Sequence, residues 1–348
     1  MKRFLCWMLL LILPVTALGE TLTLSFIGDC SIGEALQYKG NENGYTWMMD
    51  QNGYEWPFSL VREYLENDDF TFANLEIVLS ERKRHVDKVF PLIAAPKYAQ
   101  ALLYSGIDAV NTVNNHCFDY YVEGYTDTIN TLNELPMQHF GSVYVGGKYA
   151  QDVLLVTEVK GVKIGALGFT YPQESDVKLI QKRIDTLKEN GCEVIVASMH
   201  WGRETHPTQN NDQMKLARKI IDAGADIVWG HHPHVLQPVQ LYNGGIILYS
   251  TGNFTFGTMS SSVDRDTGIF QIIFDLTENG PVMAEFTVIP ATTTGSGDYR
   301  PYVLEETTDR QRVFKKLVYT KNANNMINLP ASFIENGTVR IENGLPVE

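Results

Sequence analysis

A short apolar run that ends in a cluster of histidines is the feature that most limits what this chain can fold into. The run Ala225-Asp226-Ile227-Val228-Trp229 is typical of a buried strand, and Gly230-His231-His232-Pro233-His234 follows it directly. Open α/β sheets place their sites at the carboxyl ends of strands. His232 and His234 are two residues apart, so both rings can reach one point on an extended backbone. Neutral imidazoles suit Zn, Mn or Fe; the alternative is a polar loop with solvated histidines.

Four other predicted strands also run into side chains of the kinds that bind metals. Their apolar runs span residues 21–27, 70–75, 108–113 and 193–198, and the residues that follow are Asp29, Glu76, Asn115 with His116, and His200. Each has an ordinary explanation when taken alone, such as an aspartate in a turn. Together the five strand ends supply the mixed oxygen and nitrogen ligands of a two-metal site.

Strands that alternate with helices indicate an α/β fold. We predict helices near residues 57–65, 96–105, 124–135, 177–187, 213–223 and 309–317, and hairpins that join 153–159 to 162–169 and 268–276 to 282–289. Residues 33–53, rich in Gly, Asn and aromatic side chains, are predicted to be irregular, and residues 292–297 to be a linker.

The amino terminus predicts export. Lys2-Arg3 precedes an apolar segment of residues 4–15, and Ala17-Leu18-Gly19 has the small residues of a cleavage site. The segment is shorter than the roughly 20 residues that span a bilayer. We therefore expect a signal peptide at 1–19, a metal-binding domain at 20–290 and a linker with a carboxyl-terminal tail at 291–348. The mature protein would be secreted or lie on the extracytoplasmic face of a bacterial membrane.

Charge and cysteine content restrict the partners. The formal charge is −13, and loss of Lys2 and Arg3 makes it −15, which disfavours nucleic acid and anionic lipid as ligands. Three cysteines would remain, at positions 30, 117 and 192, too few for a disulfide framework. A bridge between Cys30 and Cys117 is one option, but we expect buried thiols.

Six motifs, in unbroken order between about residues 22 and 256, resemble the bacterial capsule-synthesis CapA family, which is associated with poly-γ-glutamate. They are Phe26-Ile27-Gly28-Asp29, Phe72-Ala73-Asn74-Leu75-Glu76, Asn114-Asn115-His116-Cys117-Phe118-Asp119-Tyr120, His200-Trp201-Gly202-Arg203-Glu204, Gly230-His231-His232-Pro233-His234-Val235-Leu236-Gln237-Pro238 and Tyr249-Ser250-Thr251-Gly252-Asn253-Phe254. That family is similar in fold to calcineurin-like metallophosphoesterases. The resemblance implies a four-layer αββα sandwich with mixed sheets and metals at the strand carboxyl ends.

The resemblance also implies a ligand set for one or two divalent ions, Mn, Zn or Fe. Asp29 and His234 would bind the first ion, Glu76 would bridge, and the second ion would take Asn115, His200 and His232. Phosphoesterases of this fold carry a histidine two residues after the first aspartate, where this chain has Ser31. The number of ions is therefore left open.

Catalytic and substrate roles follow from the same motifs. His116 would be the general acid, with Asp119 orienting it or capping the next helix, and Arg203 would hold substrate or pair with Glu204 or Asp212. The other candidates for substrate binding are Arg82, Lys83, Arg84, Glu204 and Asn253, although residues 80–88 could be a solvated loop tip and Asn253 could order its own loop.

Three functions are consistent with these residues. The first is synthesis, transfer or trimming of poly-γ-glutamate or a related anionic polymer by metal-dependent hydrolysis, in which a metal-activated water attacks an acyl or phosphoryl centre. The second is a secreted metallophosphoesterase for nucleotides or phosphorylated glycans. The third is a non-catalytic subunit that binds the polymer or a membrane synthetase.

Overall fold

The computed structural model describes residues 19–145, 148–258, 264–295, 297–321 and 326–347, with the side chains of 144, 145 and 148–151 excepted. The predicted signal peptide thus lies outside the described residues, apart from Gly19. None of the helices in the described part of the chain combines the length and the apolar character that a bilayer crossing requires.

The described chain consists mainly of β-strands and α-helices. The strands are β1 (Thr21–Ser31), β2 (Glu34–Ala35), β3 (Phe70–Leu75), β4 (Val78–Leu79), β5 (Leu92–Ala94), β6 (Ala109–Asn111), β7 (Gln138–Val145), β8 (Lys148–Val153), β9 (Leu155–Val159), β10 (Val162–Thr170), β11 (Val194–His200), β12 (Ile227–His231), β13 (Val239–Tyr242), β14 (Gly245–Leu248), β15 (Asn253–Phe256), β16 (Asp266–Thr277), β17 (Gly280–Thr293), β18 (Pro301–Val303), β19 (Ile327–Asn328), β20 (Thr338–Glu342) and β21 (Leu345–Val347). The α-helices are α1 (Tyr45–Asn52), α2 (Arg62–Glu66), α3 (Gln100–Leu103), α4 (Tyr121–Glu134), α5 (Val177–Glu189), α6 (Asn211–Ala223), α7 (Thr307–Leu317) and α8 (Phe333–Asn336).

Most strands belong to two large mixed sheets. The first runs β21-β20-β17-β16-β1-β3-β6-β7-β8, with β15 beside β1 and β18 beside β17, and the second runs β19-β13-β14-β12-β11-β10-β9. The strands β1, β3, β6 and β7 are parallel, as are β10, β11, β12 and β14. Parallel neighbours end at the same edge, so each sheet collects several strand carboxyl ends in one place. The short strands β2, β5 and β4 form a third, small sheet.

The two large sheets pack face to face and helices cover their outer faces. Successive residues of a strand point to opposite faces, and the buried residues follow this rule: Phe72 and Trp229 lie between the sheets, whereas Ala73 and Val228 lie under helices. Helices α1 to α4 pack on the first sheet, and α5 and α6 on the second. The predicted αββα sandwich with mixed sheets is therefore confirmed.

Local sequence signals account for the start and the end of helix α6. The Asn210 side chain accepts a hydrogen bond from the Gln213 backbone N–H, and the Asn210 backbone N–H donates one to the Gln213 side chain. Gly224 ends α6 with a φ of 106°. The predicted hairpins are confirmed as β9–β10 and β16–β17. The prediction of an irregular segment at 33–53 is wrong, because α1 occupies residues 45–52, where Tyr45 and Met49 are buried.

The residues after position 300 add to both sheets. Strands β18 and β20 pair with β17 in the first sheet, and β19 pairs with β13 in the second. Phe314 and Leu317 of α7 are buried in the core between the sheets. Arg312 and Lys316 of the same helix form ion pairs with Asp266 at the start of β16. Of the predicted linker, Thr292 and Thr293 belong to β17, and Ser296 lies outside the described residues.

A half-buried carboxylate at the amino end of β3 predicts a pH-dependent stability. Burial, together with the charges of the Asp108 and Asp69 carboxylates, raises the pKa of Asp68 to about 7 against hydrogen bonds from Ser25 and Thr71. The folded pKa exceeds the unfolded one, so the ionised group destabilises the protein above pH 7 and this penalty disappears as the pH falls towards 4. Asp68→Asn should raise the free energy of unfolding at pH 8 by on the order of 1 kcal/mol. Thermal melts at pH 8 and pH 4 test this.

The matched control is Asp69→Asn. Asp69 pairs with Lys160 at 2.7 Å, so its loss should give no gain at pH 8. Equal stabilisation by Asp68→Asn at both pH values would contradict the assignment.

Candidate metal centre

The sheet register brings the predicted strand ends to one edge. In the first sheet Asp29 lies opposite Asn74 on one side and Asn253 on the other. In the second sheet His200 lies opposite His231. The carboxyl ends of both sheets meet where the histidine segment after β12 reaches Asp29. The six predicted metal ligands, Asp29, Glu76, Asn115, His200, His232 and His234, are all part of the contact network at this edge.

Asp29 ties the two sheets together. Its Oδ2 accepts a hydrogen bond from the His232 backbone N–H at 3.3 Å and lies 3.2 Å from His234 Nδ1. The backbone before it passes so close to the next loop that a Cβ at Gly28 would lie 1.9 Å from the Gly252 carbonyl oxygen. Glycine at position 28 therefore permits the approach that places Asp29 at the histidines.

Glu76 is the centre of the cluster. Its Oε2 accepts a hydrogen bond from Asn74 at 3.3 Å, but its buried Oε1 has no hydrogen-bond partner. Three imidazole nitrogens surround that oxygen: Nε2 of His116 and of His234 at 3.8 Å and Nε2 of His200 at 3.9 Å.

These distances fit a cation between the groups. They are too long for hydrogen bonds, and those from Glu76 to His200 and His234 are short enough for both partners to bind one ion at about 2.0–2.2 Å each. A buried carboxylate oxygen without a partner is costly unless something binds it. The side chains present therefore fit a divalent metal.

The remaining imidazoles show the same deficit. Nδ1 of His200 and Nδ1 of His232 are buried without a hydrogen-bond partner, while Nε2 of His200 lies 2.9 Å from Asn115 Oδ1. His232 and His234 also have positive φ angles of 93° and 57°. Such backbone strain in residues with a side chain clusters at functional sites.

Candidate ligand atoms form two groups. The atoms of Asp29, Glu76 and His200 lie within 4.8 Å of one another, and so do those of Glu204, His232 and His234. The first group is fully buried and the second reaches the surface at Glu204. Carboxylate and imidazole ligands suit Zn, Mn or Fe.

Burial and mutual charge set the protonation of the cluster. Burial raises the pKa of Glu76 well above its ordinary value, and the Asp29 charge raises it further. Burial lowers the pKa of His200 well below its usual range and that of His232 to about 4. His234 is different: the Glu76 and Asp29 carboxylates outweigh burial and raise its pKa to about 10. Without a metal ion, a proton on His234 thus balances the carboxylates, and a bound cation would compete with that proton.

His116 stands beside the cluster in a fixed orientation. Its Nδ1–H donates to Asp119 Oδ2 at 2.6 Å, and that oxygen also accepts the Leu92 backbone N–H. Lys88 Nζ donates to Asp119 Oδ1 and to the Asn115 carbonyl, both at 3.0 Å. Burial lowers the pKa of His116. The arrangement leaves Nε2 facing Glu76, free to exchange a proton with a ligand.

Two of the predicted substrate cations contact residues outside the cluster. Arg82 forms a two-point ion pair with Asp127, and the Arg84 guanidinium lies over the Tyr121 ring. Lys83 and Arg203 are exposed, and among the described residues Arg203 has no ion pair with Glu204 or Asp212. Lys88, with a side chain 30% exposed, is the cation of residues 80–88 that reaches the site.

A cavity of about 780 Å³ opens next to the cluster. His116, His234, Asn253 and Glu204 line this cavity, and so do Tyr38 and Tyr299. Asn253 Oδ1 lies 2.9 Å from His234 Nδ1, so Asn253 holds a predicted ligand in place while it faces the cavity. A substrate in this cavity would meet His116 and the exposed side of the cluster together.

Several site residues were missed by sequence reasoning. Asn74 donates to Asp29 at 2.8 Å and to Glu76, and the Tyr171 hydroxyl lies 3.2 Å from His232 Nε2. Ser198 lies 2.8 Å from Nε2 of the fully buried His231. Asn74 belongs to the same motif as Glu76 and could have been found there. Tyr171 follows β10 outside the six motifs. Cys30, Cys117 and Cys192 are free and buried, as expected.

The structure has two stacked mixed sheets with helices outside them. Carboxylate, amide and imidazole side chains lie at the carboxyl ends of the strands. These features define a metallophosphoesterase-like fold with a candidate metal centre. The family model described as bacterial capsule synthesis protein PGA_cap matches residues 23–258. The chain therefore belongs to that family.

Curated relatives agree with this assignment. The chain is 30% identical over 323 residues to the capsule biosynthesis protein CapA of Bacillus anthracis. This match covers 86% of this chain and 73% of that protein. It is 30% identical over 286 residues to the PGA biosynthesis protein CapA of Bacillus subtilis, covering 78% and 72% of the two chains. A probable polyglutamine synthesis accessory protein of Mycobacterium tuberculosis is 26% identical, over 62% of this chain and 66% of its own length.

A crystal structure of a hypothetical protein from Thermus thermophilus is also similar. It has a TM-score of 0.48 and 17% sequence identity, and covers 82% of this chain and 100% of its own.

Proposed function

We propose that this protein is an exported, metal-dependent hydrolase that trims or transfers poly-γ-glutamate or a related anionic surface polymer. The observation that carries the proposal is the buried Glu76 Oε1, which lacks a hydrogen-bond partner and lies between three imidazole nitrogens beside a cavity. The names of the two Bacillus relatives, a capsule biosynthesis protein and a PGA biosynthesis protein, support the polymer as substrate class.

Different residues of the chain would take different roles in this reaction. A divalent ion, Mn, Zn or Fe, would polarise the scissile group and lower the pKa of an attacking water. Asp29, Glu76 and His200 would hold that ion, and Asn74 fixes both carboxylates. In its doubly protonated form, His116 would hand the Nε2 proton to the leaving atom and keep the Nδ1 proton that it donates to Asp119. Lys88 donates to Asp119 and to the Asn115 carbonyl, and so would keep the orientation of His116 fixed.

Partner and compartment belong to the same proposal. The predicted signal at residues 1–19 would deliver the protein to the extracytoplasmic side, where it could work beside a membrane polymer synthetase. The formal charge of −13 argues against nucleic acid as a partner. Amino-terminal sequencing of the protein from its native host should begin at Glu20; retention of Met1 would contradict export by cleavage.

A second candidate is phosphodiester hydrolysis, favoured by one observation. Glu42 and Glu204 line the cavity, whereas Lys88 and Arg203 are absent from its described lining, so a polyanion would depend on the metal for charge compensation. A single phosphoryl group on a sugar or nucleotide carries less charge to offset.

One experiment separates these functions. Protein stripped with a chelator and reloaded with Mn²⁺ or Zn²⁺ is incubated with poly-γ-glutamate and, separately, with bis(p-nitrophenyl) phosphate. We expect metal-dependent shortening of the polymer, measured by size-exclusion chromatography with light scattering. Phosphodiester turnover without polymer shortening would favour the second candidate. Polymer binding with neither reaction would leave a non-catalytic subunit.

A further inference from the structure

The residue that replaces the expected histidine of the first metal position is not a ligand. Ser31 is fully buried, and its Oγ donates to the Gly33 carbonyl at 3.3 Å and accepts the Gly257 N–H at 2.9 Å. Both interactions hold the backbone of neighbouring loops. The centre therefore lacks one ligand at this position, and any second ion must take its ligands from elsewhere.

Glu204 lies where it can supply that ligand. Its carboxylate is within 4.8 Å of the ligand nitrogens of His232 and His234. Backbone hydrogen bonds fix this position: Trp201 N–H donates to the His231 carbonyl at 3.0 Å and Thr205 N–H to the Pro233 carbonyl at 2.8 Å. The segment that carries Glu204 is thus bonded on both sides to the histidine segment, although the Glu204 side chain itself is exposed.

An independent observation at His232 also points to a ligand. His232 is only 5% exposed, yet its Nδ1 has no hydrogen-bond partner. Its Nε2 is already next to the Tyr171 hydroxyl at 3.2 Å. A buried imidazole nitrogen without a partner is unfavourable, and a cation would satisfy it.

We propose that Glu204, His232 and His234 bind a second, outer metal ion beside the inner ion held by Asp29, Glu76 and His200. This places Glu204 in the metal centre, whereas the sequence motifs had placed it among the substrate contacts. The outer ion faces the cavity through the exposed Glu204, so it meets substrate first and exchanges with solvent faster than the buried inner ion. The inference rests on the proposed function only in requiring a metal centre.

The test compares Glu204→Gln with Glu42→Gln. Both glutamates line the cavity and both changes remove one negative charge, but only Glu204 is close to His232 and His234. Each chelator-stripped protein is titrated with Mn²⁺, and bound metal is counted by elemental analysis and followed by electron paramagnetic resonance. The wild-type protein and Glu42→Gln should bind two ions per chain with a spin-coupled spectrum. Glu204→Gln should bind one uncoupled ion, with affinity for the other weakened by about 100-fold or more.

The outcomes distinguish the two proposals. Two ions of unchanged affinity in Glu204→Gln would overturn the outer site and leave the proposed function intact. Loss of an ion in Glu42→Gln to the same extent would also overturn it, because the effect would then be one of charge alone. A wild-type protein that binds no Mn²⁺, Zn²⁺ or Fe²⁺ would overturn both proposals.

Discussion

Glu76→Gln is expected to abolish binding at the inner metal position and, with it, the stabilisation that metal gives to the fold. Glutamine keeps the size of the side chain and can still accept the hydrogen bond from Asn74, but it removes the anionic oxygen between the three imidazoles. Loss of partners that only orient a ligand costs about 10–100-fold in metal affinity, so loss of the ligand itself should cost at least about 100-fold.

The thermal response separates this effect from misfolding. Wild-type protein should gain about 2.7 kcal/mol at a metal concentration 100 times the Kd, a rise in Tm of roughly 5 °C. Glu76→Gln should show no such rise. Without metal it should melt at or above the wild-type temperature, because an unsatisfied buried carboxylate costs about 1–3 kcal/mol. A metal-dependent rise in Tm that survives in Glu76→Gln would contradict its role as a ligand.

His116→Ala is expected to lower kcat by about 10²–10⁴-fold, the usual contribution of a general acid, and to leave metal content unchanged. The reason is geometric. Asp119 holds Nδ1, so Nε2 faces the cavity and Glu76, 3.8 Å away, without being one of the clustered ligand atoms. Steady-state kinetics on whichever substrate the metal-loaded protein turns over, with elemental analysis of the same samples, measures both quantities.

The control is His206→Ala. His206 is exposed, and its ring contacts only the nearby Glu204 carbonyl among the described residues. Its removal should change kcat less than about twofold, within the range of neutral surface substitutions. Loss of metal in His116→Ala would instead identify His116 as a ligand, and an unchanged kcat would exclude it as the acid.

Sequence reasoning predicted the candidate centre because each proposed ligand follows an apolar run. Parallel strands bring Asp29 and Glu76 to one edge of the first sheet, and the stacking of the second sheet places the end of β11, with His200, beside them. The same argument could not find Lys88. Its place depends on how residues 80–90 cross the surface, and Arg82 and Arg84, equally basic in sequence, are held by Asp127 and Tyr121.

Two further features could not be predicted from local sequence patterns. The helix α1 has no strong amphipathic period, so residues 45–52 read as irregular, and burial of Tyr45 and Met49 against distant parts of the chain decides the outcome. Ser31 was correctly identified as a departure, but the sequence could not show that Glu204 approaches His232 and His234.

The carboxyl-terminal segment has a practical consequence for work on this family. A recombinant fragment trimmed to residues 23–258 would lose β16, the neighbour of β1, and also Phe314 and Leu317, which fill the space between the sheets. One sheet carries Asp29 and Glu76 and the other carries His200. A change that separates the two sheets would therefore also separate the proposed metal ligands. An inactive short fragment would therefore say nothing about catalysis, and assays need protein that retains residues 259–348.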